Sequence, residues 1–192
     1  MHIFSLILEK TSIHDLEINN FVFERRDRSH KKGGGILVYL NNANMYEQLS
    51  NLESDDIESI WLKVKPMHSK SFLLGYVYRP PDSKQMWIDT FKQQLNIADT
   101  HNLDIYTVGD FDINFSTVTG FQNTKWSNLI ADYNLTQLIT HTRVTKVSSS
   151  TIDHLYTNHS EKILEIVSSN LSMSDHSPIA FTVDTVNTVN DK

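Results

Sequence analysis

The sequence predicts an α+β domain: two mixed, mainly antiparallel sheets stacked as a sandwich, with helices on the flanks. Three observations carry this. Short runs of strand-forming residues recur along the whole chain of 192 residues. Only two segments space their apolar residues as a helix does. The connections between runs are mixed, and no internal repeat or low-complexity linker divides the chain. One domain is therefore expected over residues 1–186, with the mostly polar residues 187–192 as a frayed tail.

Each element has its own warrant. Met1 to Leu8 reads as a buried strand ending at Glu9, since its apolar part is too short for a membrane span and lacks a signal-peptide pattern. A polar loop follows, then the basic stretch from Arg25 to Lys32 and three glycines, Gly33 to Gly35, that let the chain turn into a strand at Ile36–Leu40. Ile60, Leu62 and Val64 alternate as in a half-buried strand. Phe72–Tyr78 is a further strand, ended by Pro80-Pro81, which cannot continue a ladder. Ile88, Phe91, Leu95 and Ala98 mark a helix with Asp82 or Ser83 as its cap. Leu103–Val108 returns to strand and delivers Gly109-Asp110 to its carboxyl end, and Trp126, Leu129, Ile130 and Tyr133 mark a second helix. Short strands at Leu135–Ile139, Thr151–Tyr156, Ile163–Val167 and Ile179–Val183 complete the domain.

Composition narrows the chemistry. Hydrophobic residues at 39% and charged residues at 21% are ordinary for a globular domain with a sizeable core. The absence of cysteine excludes disulfides and thiolate metal sites. Any metal must take oxygen or imidazole ligands, which favours a hard cation such as magnesium or manganese over structural zinc. A net charge of −6 argues against a purely electrostatic DNA-binding module, yet a metal-dependent nuclease tolerates it, because catalytic carboxylates lower the count and bound cations partly restore it.

Four segments hold the chemistry-bearing residues: Tyr76-Val77-Tyr78-Arg79-Pro80-Pro81, Val108-Gly109-Asp110-Phe111-Asp112-Ile113-Asn114, Thr151-Ile152-Asp153-His154 and Ser174-Asp175-His176-Ser177-Pro178. In this order, from about Glu9 to Phe181, they resemble the endonuclease/exonuclease/phosphatase superfamily, and most of all the AP-endonuclease-like domains of LINE-type (non-LTR) retrotransposons. The resemblance implies a four-layered sandwich with the active site at one end of the paired sheets. It further implies that Asp110 orients or deprotonates the attacking water, that Asp175 and Glu9 bind Mg2+ (or Mn2+), and that His176 contacts the scissile phosphate. By the same likeness Asp153 fixes the His176 imidazole and the Tyr78 hydroxyl reaches the phosphate. Such a division of labour suits phosphodiester hydrolysis, which needs an activated water, a cation on the phosphate oxygens and a group that settles the leaving oxygen.

Other residues stay open between two readings. Arg143, in Thr142-Arg143-Val144-Thr145, is either a phosphate contact or half of a surface ion pair. Arg25, Arg28, Lys31 and Lys32 either form a solvated loop or track a phosphate backbone beside the site, and Ser174 is a further candidate for nucleic-acid binding. His154 reads as structural. Two departures from the family stand out. The family reads Gly-Asp-Phe-Asn or Gly-Asp-Leu-Asn where this chain has Asp112, whose ionised carboxylate only accepts hydrogen bonds and repels a phosphate; a turn residue without a site role is the other reading. The family also begins with an earlier strand carrying a metal-binding Asn or Asp, so the resemblance implies an N-terminally truncated domain lacking the first strand region.

The expectation is a divalent-cation-dependent phosphodiester hydrolase, a DNA-nicking endonuclease derived from a retrotransposon. DNA is the expected partner and no membrane is involved. The sequence leaves the location open; an intracellular one is expected, nuclear if the target is chromosomal DNA. The alternative is a catalytically impaired remnant that keeps the fold and binds nucleic acid weakly.

Overall fold

The computed structural model describes residues 16–28, 35–67, 69–113, 121–139, 143–144, 149–150, 152–168 and 179–185. The expected strand before Glu9 and the Ser174-Asp175-His176 segment lie outside them. The strands are β1 (Phe21–Asp27), β2 (Gly35–Asn41), β3 (Met45–Gln48), β4 (Glu58–Lys65), β5 (Phe72–Tyr78), β6 (Asp104–Asp110), β7 (Thr136–Gln137), β8 (Arg143–Val144), β9 (Ser149–Ser150), β10 (Asp153–Thr157), β11 (Ile163–Ser168) and β12 (Ile179–Val183). The helices are α1 (Gln85–Asp99) and α2 (Phe121–Asp132).

Six strands form the main sheet in the order β3-β4-β5-β6-β10-β7. Only β5 and β6 run parallel, joined through α1; every other neighbouring pair is antiparallel. Strand alternation sends successive side chains to opposite faces. One face carries Trp61, Leu73, Val77, Ile105 and Tyr156 and meets Trp87, Phe91, Leu95, Trp126 and Leu129 of the two helices. The opposite face carries Ile60, Leu62, Leu74, Tyr76 and Tyr106 and packs on Ile36, Val38 and Leu40 of β2, with Ile163, Phe181 and Val183 beside them. β1 pairs with β2, and β11 with β12, as two-stranded ladders forming this second strand layer. Leu37 and Tyr39 point to the far side of β2 and bury against Leu16. The architecture is thus a mixed α/β sandwich.

Four expectations change. The stretch through Arg25 and Arg26 is strand rather than polar loop: β1 pairs along its length with β2, from Phe21 opposite Asn41 to Asp27 opposite Gly35. Its charges hid a strand whose Phe21 and Phe23 pack beside Tyr39. β4 is buried on both faces instead of one, because helices cover Trp61 while β2 covers Ile60 and Leu62. The Trp61 indole N–H donates to the Gln94 side-chain oxygen at 3.0 Å, and the Gln94 amide donates to the Ser59 hydroxyl at 3.0 Å. That relay lets polar atoms lie in a dry interface without cost from unmet hydrogen bonds. Helix α1 begins after Lys84 without a side-chain cap, since Ser83 closes the preceding turn through its backbone N–H to the Pro80 carbonyl, 3.0 Å. Finally, β6 extends through Gly109 and Asp110, two residues past the apolar run.

That extension depends on Gly109. Its φ is 154°, and a Cβ there would collide with the Val77 carbonyl of the neighbouring β5. Only glycine lets the two strands stay this close at their ends.

Candidate active site

The parallel register between β5 and β6 sets Tyr78 beside Asp110, and the antiparallel register between β6 and β10 sets Asp110 beside Asp153. On the other side Glu58 of β4 pairs with Tyr78. Glu58, Tyr78, Asp110 and Asp153 therefore form one row across four adjacent strands at the same sheet end. Register partners project to the same face, here the face that meets the second strand layer. All four are half-buried. Asp153 shares its face with Leu155, as strand alternation requires.

Beyond Asp110 the chain is anchored by Phe111, which is fully buried in a cluster of rings. It meets Trp126 at 5.5 Å, Phe91 at 5.8 Å and Tyr156 at 5.4 Å between centroids, and it stacks on His154 at 5.3 Å and 10°. Its backbone N–H donates to the Ile152 carbonyl at 2.8 Å, binding the loop to the approach of β10. Asp112 then takes a left-handed φ of 44°, and its N–H donates to Oδ1 of Asp110 at 3.0 Å. Short polar side chains are the non-glycine residues that adopt this conformation most readily. Asp112 is thus a turn residue and at the same time a neighbour of the Asp110 carboxylate.

Arg79 lies beneath this turn, 6% exposed. Its guanidinium donates to the carbonyls of Phe111, Asp112 and Ser83 at 3.4, 3.2 and 3.4 Å, and it sits 5.7 Å from the Trp87 ring centre. Its backbone N–H donates to the Asp110 carbonyl at 2.8 Å, so β5 stays zipped to β6 one residue past Tyr78 before Pro80 ends the ladder. Burial presses the guanidinium pKa down, the charges of Asp112 and Asp110 press it up, and burial prevails.

Arg28 covers the other end of the row. Its Nε donates to Glu58 at 2.7 Å, and its guanidinium stands 5.0 Å from the Tyr78 ring centre. Partial burial opposes its charge, but the bonds to Glu58 and Tyr78 outweigh that and hold its pKa above the ordinary value. Arg26 is bound to Glu53 at 3.1 Å and to the Ser54 carbonyl, and Arg25 to Asp27 at 2.6 Å. The described part of the basic stretch is engaged with acidic neighbours.

His154 is fully buried, and its Nδ1 lies 2.7 Å from the Tyr156 hydroxyl, which accepts the Trp126 indole N–H at 2.8 Å. Burial raises the Tyr156 pKa, and the bond from Trp126 only partly offsets it. This relay fastens α2 to β10 behind Phe111.

Of the residues singled out from the sequence, Tyr78, Asp110, Asp112 and Asp153 gather at one sheet end, with Arg28 against Tyr78. Glu9, Lys31, Lys32, Ser174, Asp175 and His176 lie outside the described residues. Arg143 belongs to the separate β8–β9 ladder, opposite Ser150. Among the described residues no group of three or more acidic or histidine side chains is placed to hold a metal. The oxygen donors that are present suit a hard divalent cation but do not complete a ligand set. Glu58 and Arg79 were missed as site residues. Both had a signal: Glu58 opens the strand that pairs with Tyr78, and Arg79 stands inside the quoted Tyr-Arg-Pro-Pro segment.

No family model matches the sequence, and no curated protein matches it. Solved structures do. The endonuclease domain of TRAS1, a telomere-specific non-LTR retrotransposon, superposes with a TM-score of 0.71 at 11% identity, over 88% of this chain and 80% of that one. The catalytic domain of APE2 from Xenopus laevis gives 0.62 at 12% identity, over 87% and 76%. An endonuclease/exonuclease/phosphatase family protein from Leptotrichia buccalis C-1013-b gives 0.59 at 10% identity, over 90% and 75%. At these identities the likeness is one of fold.

Proposed function

We propose that this chain, which carries the endonuclease/exonuclease/phosphatase fold, is a divalent-cation-dependent phosphodiester hydrolase that nicks DNA. The observation that carries the proposal is the row of Tyr78, Asp110 and Asp153 on adjacent strands at one sheet end. Asp110 takes the proton of the attacking water. The water oxygen adds to phosphorus, the bond to the leaving oxygen breaks, and that oxygen takes a proton from solvent water. Asp153 holds the imidazole of His176, which contacts the phosphate, and the Tyr78 hydroxyl donates to a phosphate oxygen. Glu9 and Asp175, which lie outside the described residues, would hold Mg2+ or Mn2+. When bound, the cation neutralises charge on the phosphate and the leaving oxygen. DNA is favoured over a phosphomonoester or a lipid headgroup because the chain resembles retrotransposon endonucleases around Arg143 and has the fold of one.

Supercoiled plasmid incubated with Mg2+ or Mn2+ tests this. Wild-type protein is expected to convert it to the nicked circle, with Asp110→Ala and His176→Ala slower by about 10²–10⁴-fold, the usual worth of a positioned acid or base. Equal cleavage by all three proteins overturns the assignment. A second reading, a non-catalytic remnant that binds nucleic acid weakly, is favoured by one observation: Asp112, an aspartate, stands two residues after Asp110 in the turn closed by its backbone N–H on Asp110 Oδ1. Salt-sensitive, metal-independent DNA binding with no turnover under either cation selects it.

A further inference from the structure

We infer that Arg79 is a positioning residue for the hydrolysis: it locks the Asp110–Asp112 turn and thereby aims the Asp110 carboxylate. This rests on the reading of Asp110 as the base. A buried guanidinium is a costly way to fill space, since an aliphatic side chain of similar volume would pack there without the loss of hydration. What arginine adds is a rigid fork of donors. Here both Nη groups are spent on backbone carbonyls, those of Phe111 and Asp112 on one and that of Ser83 on the other, while Nε is buried without a hydrogen-bond partner among the described residues.

Two of the three carbonyls belong to the turn in which Asp112 holds a φ of 44°, a conformation that needs outside support to persist. The product of that turn is one hydrogen bond, from the Asp112 N–H to Oδ1 of Asp110 at 3.0 Å. The backbone N–H of Arg79 grips the Asp110 carbonyl as well, at 2.8 Å. Arg79 therefore fixes the turn from both ends, and the turn fixes one carboxylate oxygen of Asp110. The third carbonyl ties this arrangement to the Pro80–Ser83 turn that leads into α1, and the guanidinium packs over Trp87 of that helix. No contact with substrate is assigned to Arg79 itself.

Arg79→Gln and Arg79→Lys test the inference in the full chain. Arg79→Gln is expected to lower kcat for plasmid nicking by about 10–100-fold with KM within about twofold, as misplacement of a catalytic group does. Arg79→Lys keeps the charge and some donors, and should recover about half of that loss on a logarithmic scale. Independently of activity, hydrogen exchange of the Asp112 amide should accelerate at least about tenfold in Arg79→Gln, while the amides of β4 and β5 keep their rates. If Arg79→Gln fails to fold, Arg79→Lys carries both measurements. A rise in KM at constant kcat overturns the inference, since Arg79 would then be a binding contact; so does unchanged Asp112 exchange. A wild-type protein that does not nick removes the catalytic role together with the reading it rests on, and the exchange rates then decide separately whether Arg79 holds the turn.

Discussion

Asp112 is the residue at which local conformation and chemistry pull in different directions. Its left-handed backbone suits asparagine at least as well as aspartate, so Asp112→Asn should leave the turn intact. The change removes a negative charge next to Asp110, where a phosphate anion is proposed to sit. We predict a KM for supercoiled plasmid about two- to fivefold lower in Asp112→Asn, the scale of one screened charge contact, with kcat unchanged or higher. A higher KM in steady-state plasmid assays would mean that the carboxylate recruits a cation rather than repelling the substrate. Gly109, three residues earlier, allows no such exchange, because any side chain there meets the Val77 carbonyl.

Among the elements, the end of β6 is held mainly by what stands behind it. Phe111 contacts rings from α1, α2 and β10, so one side chain joins both helices to the sheet beneath the candidate site. Phe111→Ala is predicted to cost roughly 3–5 kcal/mol by removing a fully buried ring. Val167→Ala on β11, where the side chain is 47% exposed, should change stability by less than about 0.5 kcal/mol. Urea titration separates them: the first should shift the midpoint strongly at constant slope, the second hardly at all. A small shift for Phe111→Ala would show that the ring cluster does not anchor this strand end.

For the molecule as a whole, charge decides how DNA is held. The net charge is −6, and Arg26 and Arg28 are committed to Glu53 and Glu58. Those two arginines then do not count toward phosphate contacts, and against a net negative charge the salt dependence of DNA binding should be shallow, a log–log slope of about −2 to −3. Replacing Lys31 and Lys32 together by alanine should flatten that slope by about 2, measured by fluorescence anisotropy between low and moderate salt. A slope unchanged by the double substitution would take the basic stretch out of the interface.

Alternation and helical spacing are local patterns that burial then enforces, so the fold class, nearly every strand of the main sheet and both helices are legible in the chain alone. So is the grouping of the Tyr78, Asp110 and Asp153 segments, since each stands at or beside the end of an apolar run; the Ser174–Pro178 segment lies outside the described residues. Three matters were left to the tertiary structure. That β1 is a strand depends on β2 satisfying its backbone, which charges at Arg25 and Arg26 concealed. That β4 is covered twice depends on layers built from residues far along the chain. Above all, the row of Glu58, Tyr78, Asp110 and Asp153 follows from the register of three strand pairings, and the grip of Arg79 on the Asp110–Asp112 turn from the meeting of two strand ends. Register is a property of pairs of strands, fixed by how their faces pack on other layers, and one strand's residues do not contain it.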